Sequence, residues 1–334
     1  MMKAIALLSG GLDSTLAVRV LLDQGVEVEA LNFMTLFCRC TAKESTCSSS
    51  QKAARMLGIG LQIRNISDEF LEVVRHPKHG YGKNVNPCLD CRILMFKKGR
   101  EYMNQNGASF IVTGEVLGER PMSQRREAMH IIERESELQG LILRPLSAKL
   151  LPLTIPEKNG WVSRETLLAI TGRSRKPQIK LASDYGINDY PCPAGGCLLT
   201  DPGFALRMKD LMKNNPDFSL NDVHLLKLGR HFRLTPLAKV VMGRNEGEND
   251  KILSLAKEGD TILSVKHFPG PLTLARGELS QQEILRSAVI TAKYSKAKSL
   301  PEVEVEYQVI PMPAKGIVVS PSMVGDELGL LRIN

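Results

Sequence analysis

The chain has 334 residues, 43% of them hydrophobic and 5% aromatic, with seven cysteines and a formal net charge of +8. That length exceeds one ordinary domain, so two domains and a sizeable core are expected, and the composition is that of a soluble α/β protein. The N-terminal apolar stretch is too short for a secretory signal and no run approaches a membrane span, which points to the cytoplasm and to cysteines used for metal or redox chemistry rather than disulfides.

The first elements already carry chemistry. The apolar run Ala4–Leu8 reads as a buried strand, and Thr15–Leu22 as an amphipathic helix. Between them stand Ser9, Gly10, Gly11, Leu12, Asp13 and Ser14. Two glycines let backbone approach an anion, Ser9, Ser14 and Thr15 offer hydroxyls, and the helix N-terminus adds oriented N–H groups. The Gly-Lys-[Ser/Thr] ending of a Walker A loop is missing. The order Ser-Gly-Gly-x-Asp-Ser resembles the PP-loop of ATP pyrophosphatases, which adenylate a substrate and release pyrophosphate.

Further strands are expected at Lys3–Leu8, Val26–Phe33, Leu61–Ile66, Phe110–Glu115 and Leu141–Leu146. Helices are expected near Ser14–Gln24, Ser48–Leu57, Cys91–Asn106 and Ser123–Leu138. Such alternation predicts a parallel sheet covered on both faces. Ligands then bind at the carboxyl ends of strands, where Ser9–Ser14, Asn32–Cys40 and Gly114–Gln124 meet. His76 and His79, among Pro77, Lys78 and Gly80, read as loop residues rather than metal ligands. Around Trp161–Gly186 the pattern is helical, with Ser163 as N-cap and Gly172 as C-cap. From about Asp201 the composition changes. A basic helix (Arg207, Lys209, Lys213) leads to strands at Ala238–Met242, Thr261–Val265, Leu272–Arg276, Val303–Ile310 and Gly316–Ser320, with a helix near Ser280–Tyr294. This is a compact α+β module. Its cations Lys227, Arg230, His231, Arg233, Lys239 and Arg244 suit a phosphate backbone, although a charge run is also what a solvated face looks like.

Cys88-Leu-Asp-Cys91 sits where a loop enters a helix, so a lowered thiol pKa is expected there. Cys192 and Cys197 follow about a hundred residues on, in a Pro/Gly-rich crossing. Two thiolates plus one distant thiolate would hold three irons of a [4Fe–4S] cluster and leave the fourth open. Two plus two would close a zinc site or a fully ligated cluster, and redox cysteines without metal remain a third reading. Cys38, Cys40 and Cys47 form another group in the loop after the second strand.

With these motifs in place, the first 200 residues resemble the PP-loop (HUP, adenine nucleotide alpha hydrolase-like) domain of ThiI-type tRNA 4-thiouridine synthases and related tRNA thiolases. Thr113–Gln124, Leu143–Lys149 and Gly172–Lys176 carry the resemblance further. Residues 201–334 resemble the RNA-binding NFACT-R module, through Val241–Asn249 and Pro269–Pro271. The PP-loop begins at residue 9 rather than behind a THUMP region, and no rhodanese-like carrier follows, so the RNA and the modified nucleotide do not transfer with the resemblance.

The resemblance implies an ATP-dependent RNA sulfurtransferase, with ATP, Mg²⁺ and a [4Fe–4S] cluster (alternatively Zn²⁺ or no metal). Ser9, Gly10, Gly11, Asp13, Ser14 and Thr15 would hold the polyphosphate. Asn32, Phe33 and Met34 would read adenine through their main chain, and Gly114 would let backbone approach AMP. Asp13 would orient the metal ion. Cys88, Cys91 and Cys197 would be the cluster ligands, with Cys192 the fallback, and Cys197 the alternative site of a persulfide. Lys149 and Arg173 are candidate phosphate contacts. Expected partners are tRNA or another structured RNA and a sulfur donor (sulfide or a persulfide carrier), with no membrane; a homodimer is compatible. The rivals are a PP-loop amide ligase, a nucleotide-sensing RNA-binding protein without catalysis, and sulfur transfer to a small molecule.

Overall fold

Ala4, Ile5 and Ala6 are buried, so their backbone groups need partners inside the protein, and Lys3–Leu7 finds them as β1 at the centre of a parallel sheet. The computed structural model describes residues 2–38, 48–190, 197–323 and 327–333. After β1 come α1 (Leu12–Leu22), β2 (Glu27–Met34), α2 (Ser48–Leu57), β3 (Leu61–Asn65), α3 (Ser67–Arg75), α4 (Cys88–Gln105), β4 (Phe110–Thr113), α5 (Arg126–Glu135) and β5 (Ile142–Leu143). The sheet order is β3-β2-β1-β4-β5, and every described pairing in it is parallel.

Side chains alternate along β1 and build two cores. Ala4 and Ala6 pack with Leu16, Ala17 and Val20 of α1 and Ala53 of α2. Ile5 faces the other way, with Leu31 and Phe33 of β2, Ile93 and Phe96 of α4 and Ile132 of α5. Helices thus cover both faces, as the alternating sequence pattern requires. The strand order reverses between β1 and β4, which opens a crevice at their carboxyl ends. Short α6 (Ile155–Lys158) and α7 (Lys176–Asp184) follow. From α7, Ala182 enters the first core, while Tyr185 just beyond it lies under the Arg19 guanidinium at 5.5 Å.

Residues 1–198 and 199–334 form two separate units. The second contains α8 (Pro202–Asn214), α9 (Leu220–Leu226), β6 (Arg230–Thr235), β7 (Ala238–Met242), α10 (Glu246–Ser254), β8 (Thr261–Val265), β9 (Thr273–Gly277), α11 (Gln281–Lys293), β10 (Val303–Val309), β11 (Lys315–Val319), α12 (Glu327–Leu331) and β12 (Arg332–Ile333). Its antiparallel sheet runs β11-β10-β8-β9-β7-β6-β12. Ala288, Ile290 and Ala292 of α11 fill the core under it, and a Ser280–Glu283 capping box starts that helix.

Several expectations need correction. The strand expected through Leu146 is only two residues long. Ser163 precedes a single 3-10 turn, Arg164–Thr166, not a helix; the helical stretch there is α7, which begins with Pro177 in its first turn. The helix α4 starts at Cys88 rather than Cys91, and α5 starts at Arg126 rather than Ser123. The strand β6 and the helices α3 and α10 were not anticipated.

Candidate functional site

The turn after β1 is shaped by close packing. Gly10 has φ +77°, and a Cβ there would lie 2.3 Å from the Ser49 carbonyl carbon. The first turn of α2 therefore sits directly against the Gly10 backbone, and two helix N-termini, of α1 and α2, flank the same turn. Gly11 is the N-cap of α1 with no side-chain cap, which leaves early N–H groups for a ligand. The hydroxyls of Ser14 and Thr15 donate back to the Gly11 carbonyl, at 2.9 and 3.0 Å, and Ser9 Oγ lies 3.1 Å from Ser14 Oγ. Thr15 is 1% exposed, so its hydroxyl braces the turn from beneath.

Gly114 allows a close approach within the protein itself. A Cβ there would lie 2.4 Å from both the Asp13 carbonyl carbon and the Ser14 nitrogen. Its lack of a side chain lets the end of β4 close onto the first turn of α1.

Asp13 lies in this junction. Its Oδ1 is buried without a hydrogen-bond partner. Burial pushes its carboxyl above the usual range, while Arg175, the neighbouring Gln178 and Arg120 pull the other way. Burial and the Asp13 charge likewise push Glu119 up. Two carboxyls and two guanidiniums thus feel one another's charge, and Arg175 Nε is also buried without a partner. Backbone links make the cluster: Gly172 N–H donates to the Leu117 carbonyl at 2.8 Å, and Leu117 bridges to Thr171. Reading contiguous motifs missed Glu119, Arg120, Arg175 and Gln178 as companions of Asp13. The signal was present, since the first two lie in Thr113–Gln124 and Arg175 in Gly172–Lys176.

At the end of β2, Asn32 is 6% exposed and donates Nδ2–H to the Leu8 carbonyl at 2.8 Å, tying β2 to the turn. The Leu31 carbonyl faces β1, accepting from Leu8 N–H at 3.0 Å, whereas the Met34 carbonyl faces β3, accepting from Ile66 N–H at 3.0 Å. By the alternation of a parallel ladder, the Phe33 peptide groups face the β1 side, just past the point where β1 has ended.

Four thiols approach one another from three places in the sequence. Cys88 and Cys91 occupy the first turn of α4, with Cys91 N–H donating to the Pro87 carbonyl at 2.9 Å. Cys38 follows β2, with its Sγ 3.3 Å from Thr35 Oγ1. Leu198 N–H donates to the Phe37 carbonyl at 3.0 Å, which brings Cys197 to the same loop. Burial and then the Cys197, Cys88 and Cys38 sulfurs push the Cys91 thiol up, with Arg92 opposing. Burial and like charge here override the helix dipole expected to lower it. Cys192, Cys40 and Cys47 lie outside the described residues.

An all-thiol donor set beside a guanidinium suits an iron–sulfur cluster or zinc in its chemistry. Among the described residues, no three His, Cys, Asp or Glu side chains are drawn together closely enough to hold a metal ion.

One ion network joins the two halves of the site. Arg92 Nε and Nη2 donate to Glu115 Oε1 at 2.9 and 2.5 Å, and Arg144 Nε donates to Glu115 Oε2 at 3.0 Å. Burial would raise Glu115, but the two guanidiniums win and hold its carboxyl below the usual range. Glu115 directly follows Gly114, so a continuous path runs from Cys91 through Arg92 and Glu115 to the Asp13–Ser14 peptide. Lys149 is elsewhere engaged, with its Nζ donating to the Glu165 carbonyl at 2.7 Å, and Arg173 is exposed.

The first unit is a parallel sheet with a glycine-rich turn at its switch point. Residues 1–149 match the family described as "Thiamine biosynthesis protein (ThiI)", and residues 229–327 match "NFACT protein RNA binding domain". The first unit is thus similar to ThiI over residues 1–149, and the second is similar to an NFACT RNA-binding domain over residues 229–327. The tRNA-specific 2-thiouridylase MnmA of Sulfurimonas denitrificans is 35% identical over 119 residues, 34% of this chain and 35% of that protein. Across the first curated relatives, the chain spans about a third of their length. Among solved structures, a 4-thiouridine synthetase in complex with RNA and bound ATP is 21% identical, covering 56% of this chain and 52% of that one, with a TM-score of 0.35. The U34-tRNA thiolase NcsA from Methanococcus maripaludis, with its [4Fe-4S] cluster, is 15% identical, covering 67% of this chain and 69% of that one, with a TM-score of 0.31. Among the described residues no helix is long and apolar enough to cross a membrane.

Proposed function

We propose that the protein is an ATP-dependent tRNA sulfurtransferase that adenylates a uridine carbonyl oxygen and replaces that oxygen with sulfur. The observation that supports this most directly is the contact path from Asp13–Ser14 through Gly114, Glu115 and Arg92 to Cys91. It joins an anion-binding turn and a group of thiols at one end of one sheet. An amide ligase of the same fold has no use for the thiols, which argues for sulfur chemistry.

Oxide is a very poor leaving group, so the uridine oxygen first attacks the α-phosphorus of ATP. Pyrophosphate leaves into the Ser9–Ser14 turn, where backbone N–H groups and the α1 and α2 N-termini stabilise its charge. The outward-facing Phe33 peptide groups are positioned to read adenine. Arg120 and Arg175 supply cationic contacts for the polyphosphate. Asp13, with its orphaned Oδ1, and Glu119 would hold Mg²⁺, which spreads phosphate charge when bound. Cys88, Cys91 and Cys197 would hold a [4Fe–4S] cluster, which when bound presents sulfide to the activated carbon. Sulfide attack at that carbon forms the C–S bond and expels AMP with its electron pair, so no external oxidant or reductant enters. Arg92, held by Glu115, offsets negative charge at the thiols, and the NFACT-R module contributes RNA affinity.

Pyrophosphate release from ATP tests the first step. Release that depends on added tRNA is the expected result. Release that is indifferent to RNA but stimulated by ammonia and a carboxylic acid contradicts the assignment and favours an amide ligase.

A further inference from the structure

The second unit contains a cavity of about 290 Å³ lined chiefly by cations: Arg207 from α8, Gly229, Arg230 and His231 at the start of β6, Arg244 before α10, and Arg332 of β12. Four guanidiniums from separate stretches of chain converge where only Arg244 has a carboxylate partner, since its Nε contacts both Glu248 oxygens at 3.0 Å. Arg207, Arg230 and Arg332 have no ion-pair partner among the described residues. Arg230 lies over the Tyr294 ring at 5.0 Å, which orients its guanidinium without neutralising it. Arg207 feels Asp201, but burial and the Arg244 charge outweigh this and lower its pKa. Its Nε is buried without a hydrogen-bond partner. A concentration of cations that the described residues leave uncompensated is costly unless an anion completes it.

His231 adds a feature that a simple anion trap does not need. It is 1% exposed, and its Nε2 lies 2.8 Å from the Leu228 carbonyl oxygen. A carbonyl only accepts, so Nε2 carries the proton and donates. Burial, followed by the Lys239 and Arg207 charges, keeps the ring neutral. Nδ1 is therefore an acceptor, and it is buried without any partner. The cavity thus offers guanidinium donors for an oxyanion, and His231 in its lining carries a buried, unpartnered acceptor that asks for a neutral donor. A phosphodiester flanked by a ribose 2′-hydroxyl has that pair of groups, and the deoxy backbone does not.

We propose that this cavity is a ribonucleotide site, in which Arg207, Arg230 and Arg332 bind one backbone phosphate and His231 Nδ1 accepts the adjacent 2′-hydroxyl. The inference rests on the reading of the second unit as an RNA-binding module and deepens it, by naming the place and the chemical group recognised. It also gives a generic phosphate binder a way to prefer RNA over DNA.

The test is fluorescence anisotropy on the full chain, with a short labelled single-stranded RNA and the DNA of the same sequence, each titrated over a range of salt. The wild type is expected to favour RNA about tenfold, the value of one well-made hydrogen bond to an otherwise unsatisfied buried acceptor. Arg332→Gln, an exposed change that leaves the core intact, and Arg207→Gln should each weaken RNA binding about tenfold. Each should also reduce the salt dependence by about one charge. His231→Phe, checked for native thermal unfolding, should bring RNA and DNA affinities together without a matching change in salt dependence. Should His231→Phe fail to fold, RNA with a single 2′-deoxy substitution scanned along the strand reads the same contact in the wild type. If RNA binds but neither arginine substitution alters affinity or salt slope, the cavity is not the site, while the RNA-binding reading stands. If RNA and DNA bind alike and deoxy scanning finds no sensitive position, the 2′-hydroxyl contact is overturned. If the wild-type chain binds no RNA, the broader reading fails and takes the site with it.

Discussion

On the proposed reading, the two units meet negative charge by opposite means. In the first, the anion is met by backbone: the Gly10–Gly11 turn, early N–H groups of α1, and the α2 N-terminus packed against Gly10 at a distance that admits no Cβ. In the second, it is met by side chains: Arg207, Arg230, Arg244 and Arg332 arrive from four stretches of chain, and only Arg244 has an ion-pair partner among the described residues. Backbone recognition fixes geometry and suits chemistry on a phosphorus atom. Side-chain recognition supplies affinity and tolerates many sequences, which suits holding a long polyanion. The proposed function accordingly places reaction in one unit and retention of the substrate in the other.

The sharpest way to break this division is to remove one function and look for the other. Cys91→Ser should abolish thionucleoside formation while leaving ATP affinity within about twofold, because Cys91 reaches the turn only through Arg92 and Glu115. Asp13→Asn should do the converse, slowing tRNA-dependent pyrophosphate release about a hundredfold while iron bound after anaerobic reconstitution stays unchanged. Loss of both properties in either variant would show that the site is not divisible in this way.

Gly10→Ala is the corresponding structural probe. Its Cβ would meet α2 backbone from a left-handed conformation, so a destabilisation of about 3 kcal/mol is expected, with loss of ATP binding, by denaturant unfolding and calorimetry. RNA affinity carried by the second unit should survive wherever the chain remains folded.

Two smaller effects concern pH. Burial raises the folded-state pKa of Asp13 above its ordinary value of 3.8, so without ligand its contribution to stability declines as pH rises through that raised value. Binding of Mg²⁺ and ATP needs the carboxylate, so it should tighten over the same interval and then level off. Calorimetric titrations from acid to neutral pH should show that slope, and Asp13→Asn should flatten it. In the second unit, burial lowers Lys239 to about 8 from 10.5, against the attraction of Asp210. The unfolded chain then binds more protons between those values, so stability should increase with pH through that window and fall back as pH drops through 8. Lys239→Met should remove about 3 kcal/mol of this dependence in denaturant unfolding.

What could be read from the sequence follows the same division. Ser9–Ser14 was legible because a backbone site must be contiguous, and the CxxC was legible because both thiols lie within one helical turn. The sheet of the first unit was legible too, since parallel strands buried on both faces read as apolar runs. The companions of Asp13 were not, because Arg175 reaches it through the bridge between Leu117 and Thr171, which sequence spacing does not encode. In β6, Arg230, His231 and Arg233 disguised a strand as a charge run. The alternation is there, with buried Phe232 and Leu234, but His231 is buried as well and breaks the expected pattern. Arg332 lies about a hundred residues from the patch it completes, so the cavity became visible only in the folded chain.

The central claim is that activation by ATP and delivery of sulfur occur at one end of one sheet. The direct measurement is mass spectrometry of nucleosides from tRNA incubated under nitrogen with the reconstituted protein, ATP and sulfide. The account predicts a thiouridine that appears only with ATP and vanishes in Cys91→Ser. Unmodified tRNA despite pyrophosphate release, or a thiouridine of undiminished yield in Cys91→Ser, would contradict it.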